Sequence, residues 1–254
     1  MRHIELNGQA PSVEALSAIA VTNYGHYTSM QVRDGRVRGM ALHLARLDDA
    51  NEKFFGDRGD VDDELRLRSW IRHALGDRQD ASVRVAYTDE GVLISVSDPV
   101  EEPVEPIRVR TEVYERPWPE QKHAATMGLR YAYRTAREAG YDDALFLAPD
   151  GLVLEGTAWN VAFWDGGQVV LPVAPMLKGV TMVLLQVAMS MTGIPWTMRQ
   201  VRREELPDLL AAAAINSHSP GLRVAAIDDI VFDEHEKLTE ALHTAWDTVP
   251  WDDI

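Results

Sequence analysis

The sequence contains no cysteine, and this absence removes several kinds of chemistry at once. Disulfides, thiolate zinc sites, iron–sulfur clusters and a cysteine nucleophile all require a thiol. Lysine is also scarce, with four lysines against twenty-one arginines, a bias that genomic base composition explains most simply. Chemistry that requires a side-chain amine can therefore use only Lys53, Lys122, Lys178 and Lys237.

Long hydrophobic runs are missing as well. No apolar stretch approaches the roughly 18–20 residues that span a bilayer, and the first residues lack the apolar core of a secretory signal. The net charge is −15, from 25 basic and 40 acidic residues, which repels phosphodiester backbones and argues against nucleic-acid binding. We therefore expect a cytoplasmic protein whose partners are small molecules, with no membrane and no nucleic acid.

Several familiar catalytic motifs are not present in the sequence. No GxGxxG follows a strand, and neither a GxxxxGK[ST] loop nor a GxSxG elbow occurs. The eight histidines do not fall into HExxH or a similar ligand spacing, so we expect no metal site. Dehydrogenase, P-loop NTPase and serine-hydrolase functions therefore lose their usual sequence support.

The first hundred residues predict two hairpins and two helices. Alternating residues around Asp34-Gly35 indicate a hairpin over 28–39, and a second hairpin is indicated over 81–97. Helices are predicted over 41–56 and 62–77 from apolar residues at helical spacing. The expected apolar faces are Leu44, Leu47 and Phe54 in the first helix, and Leu65, Trp70, Ile71 and Leu75 in the second.

A connector rich in proline and carboxylate covers residues 98–106 and is the best domain boundary. Beyond it the pattern predicts a strand over 107–115, a helix over 125–140 and strands over 141–172. A buried helix over 180–190 and an acidic-started helix running into a strand over 203–215 follow. The fold class is α+β, with domains at 1–103 and 104–254.

Four separated features suit one kind of chemistry. They are Lys122 in EQKHAAT, Glu155 inside an otherwise apolar strand, Gly179-Val180-Thr181 at a helix entrance, and Arg46 in LHLARL. Each has an ordinary structural interpretation: a solvated lysine, an outward-pointing glutamate, a simple helix cap or a solvated arginine. Their order and spacing together favour a functional one.

The segments that carry these features resemble the class IV family of pyridoxal-phosphate enzymes. This family contains branched-chain aminotransferases, D-amino-acid aminotransferases and 4-amino-4-deoxychorismate lyase. The resemblance runs through GHYTSMQVRDGRVRG, HLARL, KH, GYDDALFLAPDGLVLEGTAWNVAFW and LKGVTMVLL. It implies a two-domain fold type IV enzyme, with a small N-terminal α/β domain and a larger C-terminal domain built on a pseudo-barrel of strands. It also implies a homodimer.

The resemblance assigns roles to individual residues. The equivalent of Lys122 bonds covalently to pyridoxal 5′-phosphate, and that of Glu155 contacts the pyridine nitrogen, where a carboxylate keeps the ring an electron sink. The phosphate is assigned to Arg46 and to a helix N-terminus. The full set of expected cofactor contacts is Arg46, Lys122, Glu155, Asn160, Gly179, Val180, Thr181, Ser217, His218 and Ser219, the last three from a late turn over 215–221.

Tyr27, Ser29 and Arg116 are the expected substrate contacts. The preferred function is an aminotransferase that exchanges an amino group between an amino acid or amine and a keto acid. Two observations leave a β-eliminating lyase like 4-amino-4-deoxychorismate lyase open. Tyr-Thr-Ser stands where that branch carries Phe-Thr-Thr, and Lys122-His123 resembles the lyase more than the branched-chain enzymes. Separately, Met127 stands where aminotransferases of this family often carry tyrosine. A catalytically idle family member is a third alternative.

Overall fold

The structure is a computed structural model that describes residues 2–56, 64–233 and 235–254. Asp62 and Asp63, the first residues of the second predicted helix, lie outside the described residues. The chain packs into two compact units. Unit 1 is Met1–Val100, Gln121–Ala125 and Pro250–Ile254, and unit 2 is Glu101–Glu120 and Thr126–Val249. The proposal that residues 1–103 and 104–254 each fold as a domain stays a prediction.

Unit 1 is built on a six-stranded sheet whose neighbouring strands all run antiparallel. Its strands are β1 (His3–Leu6), β2 (His26–Arg33), β3 (Arg36–Val37), β4 (Ala81–Thr88), β5 (Gly91–Ser97) and β15 (Asp252–Asp253), in the order β1-β5-β4-β2-β3-β15. Its helices are α1 (Val13–Thr22), α2 (Met40–Phe55) and α3 (Glu64–Leu75). Both predicted hairpins and both predicted helices are confirmed.

Strand β2 separates two kinds of side chain. Its even-numbered residues, among them Thr28 and Met30, are buried, and its odd-numbered residues, among them Tyr27 and Ser29, are half-buried. This alternation is the period of two that a strand imposes. Tyr27 and Ser29 therefore share one face of the sheet, and Thr28 lies on the other.

The inward face of α3 differs from the predicted one at a single position. Leu65 was expected in the core and is 72% exposed. Ile71 and Leu75 are buried as predicted, Trp70 is half-buried against the core, and Leu67 and Ala74 are also buried. Spacings of four, three and one place the four buried residues on one side of an α-helix, and Leu65 falls outside that stripe.

Unit 2 is built on a nine-stranded mixed sheet. Its strands are β6 (Ile107–Val113), β7 (Asp143–Leu147), β8 (Val153–Gly156), β9 (Asn160–Trp164), β10 (Val169–Pro172), β11 (Trp196–Arg199), β12 (Ala211–Ile215), β13 (Leu222–Ile227) and β14 (Ile230–Val231), in the order β11-β10-β9-β12-β13-β6-β7-β8 with β14 on β13. Its α-helices are α4 (Met127–Glu138), α5 (Val180–Thr192) and α6 (His235–Asp247).

Two segments of unit 2 bear directly on the predictions. Residues 101–106 of the connector form neither helix nor strand, as expected from their prolines. The helix predicted before β12 is a 3₁₀-helix, Arg203–Asp208, rather than an α-helix. It is six residues long and contains Pro207, which lacks the N–H that a continuing α-helix requires.

Candidate active site

Lys122 lies in a short segment that packs with unit 1. The N–H of Tyr27 donates to the carbonyl of Lys122 at 2.9 Å, and the N–H of Ala124 donates to the carbonyl of Gly25 at 2.8 Å. Gly25 has a φ of +135° and a Cβ there would lie 2.0 Å from the carbonyl oxygen of Tyr87, so only glycine fits. The segment thus extends the end of β2. Lys122 Nζ lies 5.1 Å from the centroid of the Tyr27 ring.

The pKa of a buried histidine, His43, is affected by the positive charge of this lysine. His43 is 3% exposed, and its Nδ1 lies 2.7 Å from Thr28 Oγ1. Burial, together with the positive charges of Arg46 and Lys122, lowers the pKa of His43 to about 3. The imidazole is therefore neutral at ordinary pH, and the charge of this part of the acidic chain is locally positive. Such an arrangement suits an anionic ligand.

The Tyr27 ring contacts a second cation. The guanidinium carbon of Arg84 lies 3.5 Å from the ring centroid. Arg84 is directly opposite Ser29 in the ladder between β2 and β4, so both belong to the face that carries Tyr27. Both expected substrate contacts of β2 therefore lie beside an arginine that the sequence interpretation did not include.

Glu155 is a buried carboxylate at the end of β8. It is 7% exposed, and its Oε1 accepts from Nε of Arg116 at 3.2 Å. Its Oε2 accepts from the N–H of Leu177 at 3.3 Å. Arg116 is also 7% exposed and donates to the carbonyl of Pro119. Because each charge lies beside its opposite, burial of both is compensated.

The entrance of α5 is held by one asparagine side chain. Asn160 Nδ2 donates to the carbonyl of Leu177 at 2.7 Å, and its Oδ1 accepts from the N–H of Gly179 at 2.9 Å. A Cβ on Gly179 would lie 2.4 Å from that same oxygen. Among the described residues, none accepts from the N–H groups of Val180 and Thr181. The helix therefore presents backbone donors at its N-terminus.

The late turn is folded around Asn216. Its Oδ1 accepts from the N–H groups of His218 and Ser219, each at 3.0 Å. The hydroxyl of Ser219 donates to Oε1 of Glu102 at 2.5 Å. Burial lowers the pKa of His218, with an opposing effect from Glu102. Within the described part of the chain, the N–H and hydroxyl of Ser217 form no hydrogen bond.

The predicted residues thus fall into three local groups, one in unit 1 and two in unit 2. Unit 1 brings together the expected residues Lys122, Tyr27 and Arg46, with Ser29 on the Tyr27 face. In unit 2, hydrogen bonds connect Glu155 with Arg116 and Leu177, and Asn160 with Gly179. Val180 and Thr181 follow this glycine, and Ser217, His218 and Ser219 lie in the separate late turn.

Three residues that the sequence interpretation omitted are His43, Arg84 and Glu102. A signal existed for His43, since the spacing of three in HLARL places it on the same helix face as Arg46. The hairpin register could have found Arg84, because it sets β4 against β2. Nothing local marks Glu102, whose partners are distant in sequence.

Comparison with known proteins identifies the family. The profile described as amino-transferase class IV matches residues 25–227. The chain belongs to the class IV aminotransferase family. Its enzymes depend on pyridoxal phosphate, so both the expected family and the expected cofactor are confirmed. No curated protein matches the chain significantly.

Solved structures with the same fold cover nearly the whole chain. A hypothetical aminotransferase from Mycobacterium tuberculosis is 20% identical, with a TM-score of 0.82 over 96% of this chain and 98% of that one. A fold IV transaminase from Curtobacterium pusillum is 25% identical, with a TM-score of 0.77 over 92% and 89%. A candidate 4-amino-4-deoxychorismate lyase from Legionella pneumophila is 16% identical, with a TM-score of 0.79 over 90% and 92%. The expected fold type IV is confirmed.

Two features are absent from the described residues. No helix there is long and apolar enough to cross a membrane. No group of three or more histidine, aspartate or glutamate side chains there is arranged to hold a metal ion.

Proposed function

We propose that this class IV enzyme is an aminotransferase that exchanges an amino group between an amino acid or amine and a keto acid. The observation that carries the proposal is the position of Lys122. Its amine lies against the Tyr27 ring and raises the positive charge around neutral His43. Relatives of similar fold have been solved with pyridoxal phosphate and with α-ketoglutarate and pyridoxamine phosphate, which supports the same chemistry.

The residues present suit the cofactor. Its phosphate needs cations and N–H donors, which Arg46 and the first turn of α5 offer. Its pyridine nitrogen needs a carboxylate, and Glu155 is the expected one. We propose that Asn160 holds the α5 entrance, and that Ser217, His218 and Ser219 form a second anion-binding turn. When bound, pyridoxal phosphate supplies a conjugated ring that accepts the electron pair left on the substrate Cα after deprotonation.

The side chains of this protein carry out the proton transfer and stabilise the charged amine that results. Lys122 Nζ is the general base that takes the proton from the substrate Cα. The Tyr27 ring stabilises the protonated amine through a cation–π contact. Neutral His43 adds no further positive charge beside Lys122, so it does not oppose protonation of the amine. Lys122 can therefore accept and return one proton in each half-reaction.

Arg116 has a supporting role in this proposal. Its guanidinium lies against Oε1 of Glu155 and balances the buried charge. A carboxylate that is already paired can stay ionised while it also accepts from a protonated nitrogen. Arg116 thus acts on the cofactor through Glu155. Whether it also contacts substrate, as expected from the sequence, stays a prediction.

The first test is the site of cofactor attachment. Borohydride reduction of the cofactor-loaded protein followed by peptide mapping is expected to find the cofactor on Lys122. The Lys122→Ala variant is expected to bind cofactor without covalent attachment and to show negligible turnover. Lys53→Ala is the matched control, because in the described part of the chain Lys53 forms an exposed pair with Asp49 at 2.8 Å. Attachment to any other lysine would overturn the assignment.

The second test is the reaction itself. The loaded enzyme is mixed with alanine or glutamate and a panel of keto acids, and both products are quantified. An amino acid newly formed from the keto acid supports an aminotransferase. Absence of a half-reaction with every donor and of any elimination from aminodeoxychorismate, in a protein that carries the cofactor on Lys122, favours the idle alternative.

A lyase remains the second candidate because of Ser29. Its hydroxyl belongs to the face of β2 that carries Tyr27, the ring beside Lys122. A hydroxyl there could move a proton during β-elimination. Formation of pyruvate and 4-aminobenzoate from aminodeoxychorismate, without any amino-acid half-reaction, would favour the lyase. In that event Ser29→Ala is expected to suppress elimination more than cofactor binding.

The proposal extends to assembly and location. On the family resemblance we propose a homodimer, which sedimentation of the loaded enzyme tests directly. The expected partners are an amino donor and a keto-acid acceptor. A cytoplasmic location is proposed on the composition and tested by fractionation of the native host.

A further inference from the structure

Glu102 joins three separate segments of unit 2. It lies in the proline-rich connector, and its Oε1 accepts from the hydroxyl of Ser219 at 2.5 Å. Its Oε2 lies 3.2 Å from Nε2 of His243 on α6. The same connector forms a second contact close by, where Arg223 of β13 donates to the carbonyl of Val104 at 3.3 Å. Connector, late turn and helix therefore meet at one carboxylate.

The acceptors around His243 fix its protonation state. Nδ1 lies 2.9 Å from the carbonyl oxygen of Thr239, and Nε2 faces the carboxylate of Glu102. A carbonyl and an ionised carboxylate only accept hydrogen bonds, and a neutral imidazole carries one N–H. Both contacts can be hydrogen bonds only when His243 is doubly protonated.

With His243 doubly protonated, every hydrogen bond in this cluster joins a donor to an acceptor. The N–H of Gly221 donates to Oγ of Ser219 at 3.3 Å, and that hydroxyl donates to Glu102. On the other side, protonated His243 donates both to Glu102 and to Thr239. The two donors to Glu102 each satisfy one carboxylate oxygen.

The electrostatics of the cluster support the same protonation state. Glu102 raises the pKa of His243, partly against burial, and Thr239 and Asp247 add to the effect. Hydrogen bonds from His243 and Ser219 outweigh burial and lower the pKa of Glu102, with His218 contributing as a nearby charge. Arg223 also lines this corner of the fold.

We propose that Glu102 is a positioning residue of the active site. With protonated His243 it fixes Ser219, and thereby the turn over 216–221, in the conformation that receives an anionic group. The role of the turn rests on the proposed function, and the anion is either the phosphate of the cofactor or the carboxylate of the substrate. The turn loosens as pH rises and His243 gives up its second proton.

The cofactor-free protein tests the hydrogen-bonded cluster without reference to activity. Histidine ring signals followed by NMR against pH are expected to show His243 titrating above its ordinary pKa in the wild type and lower in Glu102→Gln. Hydrogen exchange of the Ser219 and Gly221 amides is expected to rise about tenfold or more in Glu102→Gln, which is the factor that loss of a charged hydrogen bond represents. Glu105→Gln is the matched control, since Glu105 is an exposed carboxylate of the same connector.

The loaded enzyme then tests the positioning role. Cofactor affinity reports on the phosphate, and the KM of the amino donor at saturating cofactor reports on the substrate carboxylate. In Glu102→Gln at pH 6.5, at least one of the two is expected to weaken several-fold with a smaller change in kcat, and the gap from wild type is expected to narrow at pH 9. Glu102→Asp is expected to restore part of the loss.

The outcomes separate the two proposals. Equal His243 titration, or unchanged exchange at Ser219 and Gly221, in wild type and Glu102→Gln overturns the positioning role whatever the enzyme catalyses. Altered exchange with unchanged affinity and KM overturns the link to the active site. Absence of transamination in a protein whose cluster responds as expected contradicts the proposed function alone.

Discussion

The immediate surroundings of Lys122 explain why this lysine differs from the other three. Its carbonyl is bonded to the end of β2, which fixes the backbone, and its amine lies beside the Tyr27 ring. Arg46 and Lys122 both act on His43, so the amine belongs to a locally cationic place in a chain of net charge −15. The sequence resemblance identifies the lysine. The neutral state of His43 depends on burial and nearby charge, which only the structure shows.

Neutral His43 predicts a specific pH dependence. Its pKa in the folded chain is about 3 and the ordinary value is 6.5. Between pH 6.5 and pH 3, His43 is therefore protonated in the unfolded chain but not in the folded chain. The free energy of unfolding accordingly decreases as the pH is lowered from 6.5 towards 3. In His43→Gln this contribution disappears, so the loss of unfolding free energy between pH 7 and pH 5 is expected to shrink by ~2 kcal/mol. Urea unfolding of the cofactor-free proteins measures it, and parallel pH curves would contradict it.

Glu155 predicts a large kinetic effect with little structural change. In Glu155→Gln the side chain keeps its shape, but the amide cannot hold a proton on the pyridine nitrogen as a carboxylate does. Turnover is expected to fall at least ~100-fold, as when one preorganised electrostatic group is removed, while folding is retained. Glu112→Gln is the control, because Glu112 is also paired with an arginine, at 3.0 Å, but is partly exposed. Turnover within a few-fold of wild type in Glu155→Gln would show that Glu155 has no such role.

At the scale of elements, periodicity predicted most of the fold. Both hairpins of unit 1 and helices α2, α3, α4 and α5 were anticipated from alternation and apolar spacing. The sequence interpretation does not include helices α1 and α6, and α1 has no fully buried residue that would give it an apolar stripe. The acidic residues at the start of Arg203–Asp208 predict an α-helix, but Pro207 lacks the N–H that an α-helix would need there, and the segment is 3₁₀. For the site, sequence resemblance could name Lys122 and Glu155, but the pairing of Arg116 with Glu155 depends on packing across unit 2.

The entrance of α5 yields the element-scale prediction. Gly179 is required by space rather than by its backbone, since its φ is −60° and a Cβ would meet Asn160 Oδ1 at 2.4 Å. Gly179→Ala is therefore expected to displace the turn, to lower stability by about 1–3 kcal/mol and to weaken cofactor binding. In Gly167→Ala the nearest contact is an ordinary 3.7 Å to Asp165, so it serves as the control. Equal cofactor affinity in both variants would contradict the role of this turn.

At the scale of the whole molecule, sequence order and packing divide the chain differently. The connector composition indicated one boundary, near residue 103. In the structure, residues 121–125 and 250–254 pack with unit 1 although the intervening chain packs with unit 2. Local composition cannot reveal this, because the contacts that hold Lys122 to β2 join residues nearly a hundred positions apart. Lys122, the proposed catalytic lysine, thus packs with the sheet of unit 1.

This packing predicts which parts of the chain open together. The Ala124 amide is bonded to Gly25, and the Tyr27 amide to Lys122, so neither can exchange unless the segment leaves unit 1. Native-state hydrogen exchange is measured over a series of low denaturant concentrations. The amides of Ala124 and Tyr27 are expected to open with the same free energy and denaturant dependence as those of Val83 and Val85 of β4. If Ala124 opens instead with Ala132 of α4, its close neighbour in sequence, the segment belongs to the C-terminal unit. That result would favour the predicted boundary at residue 103, because the lysine would then unfold with the domain that follows it.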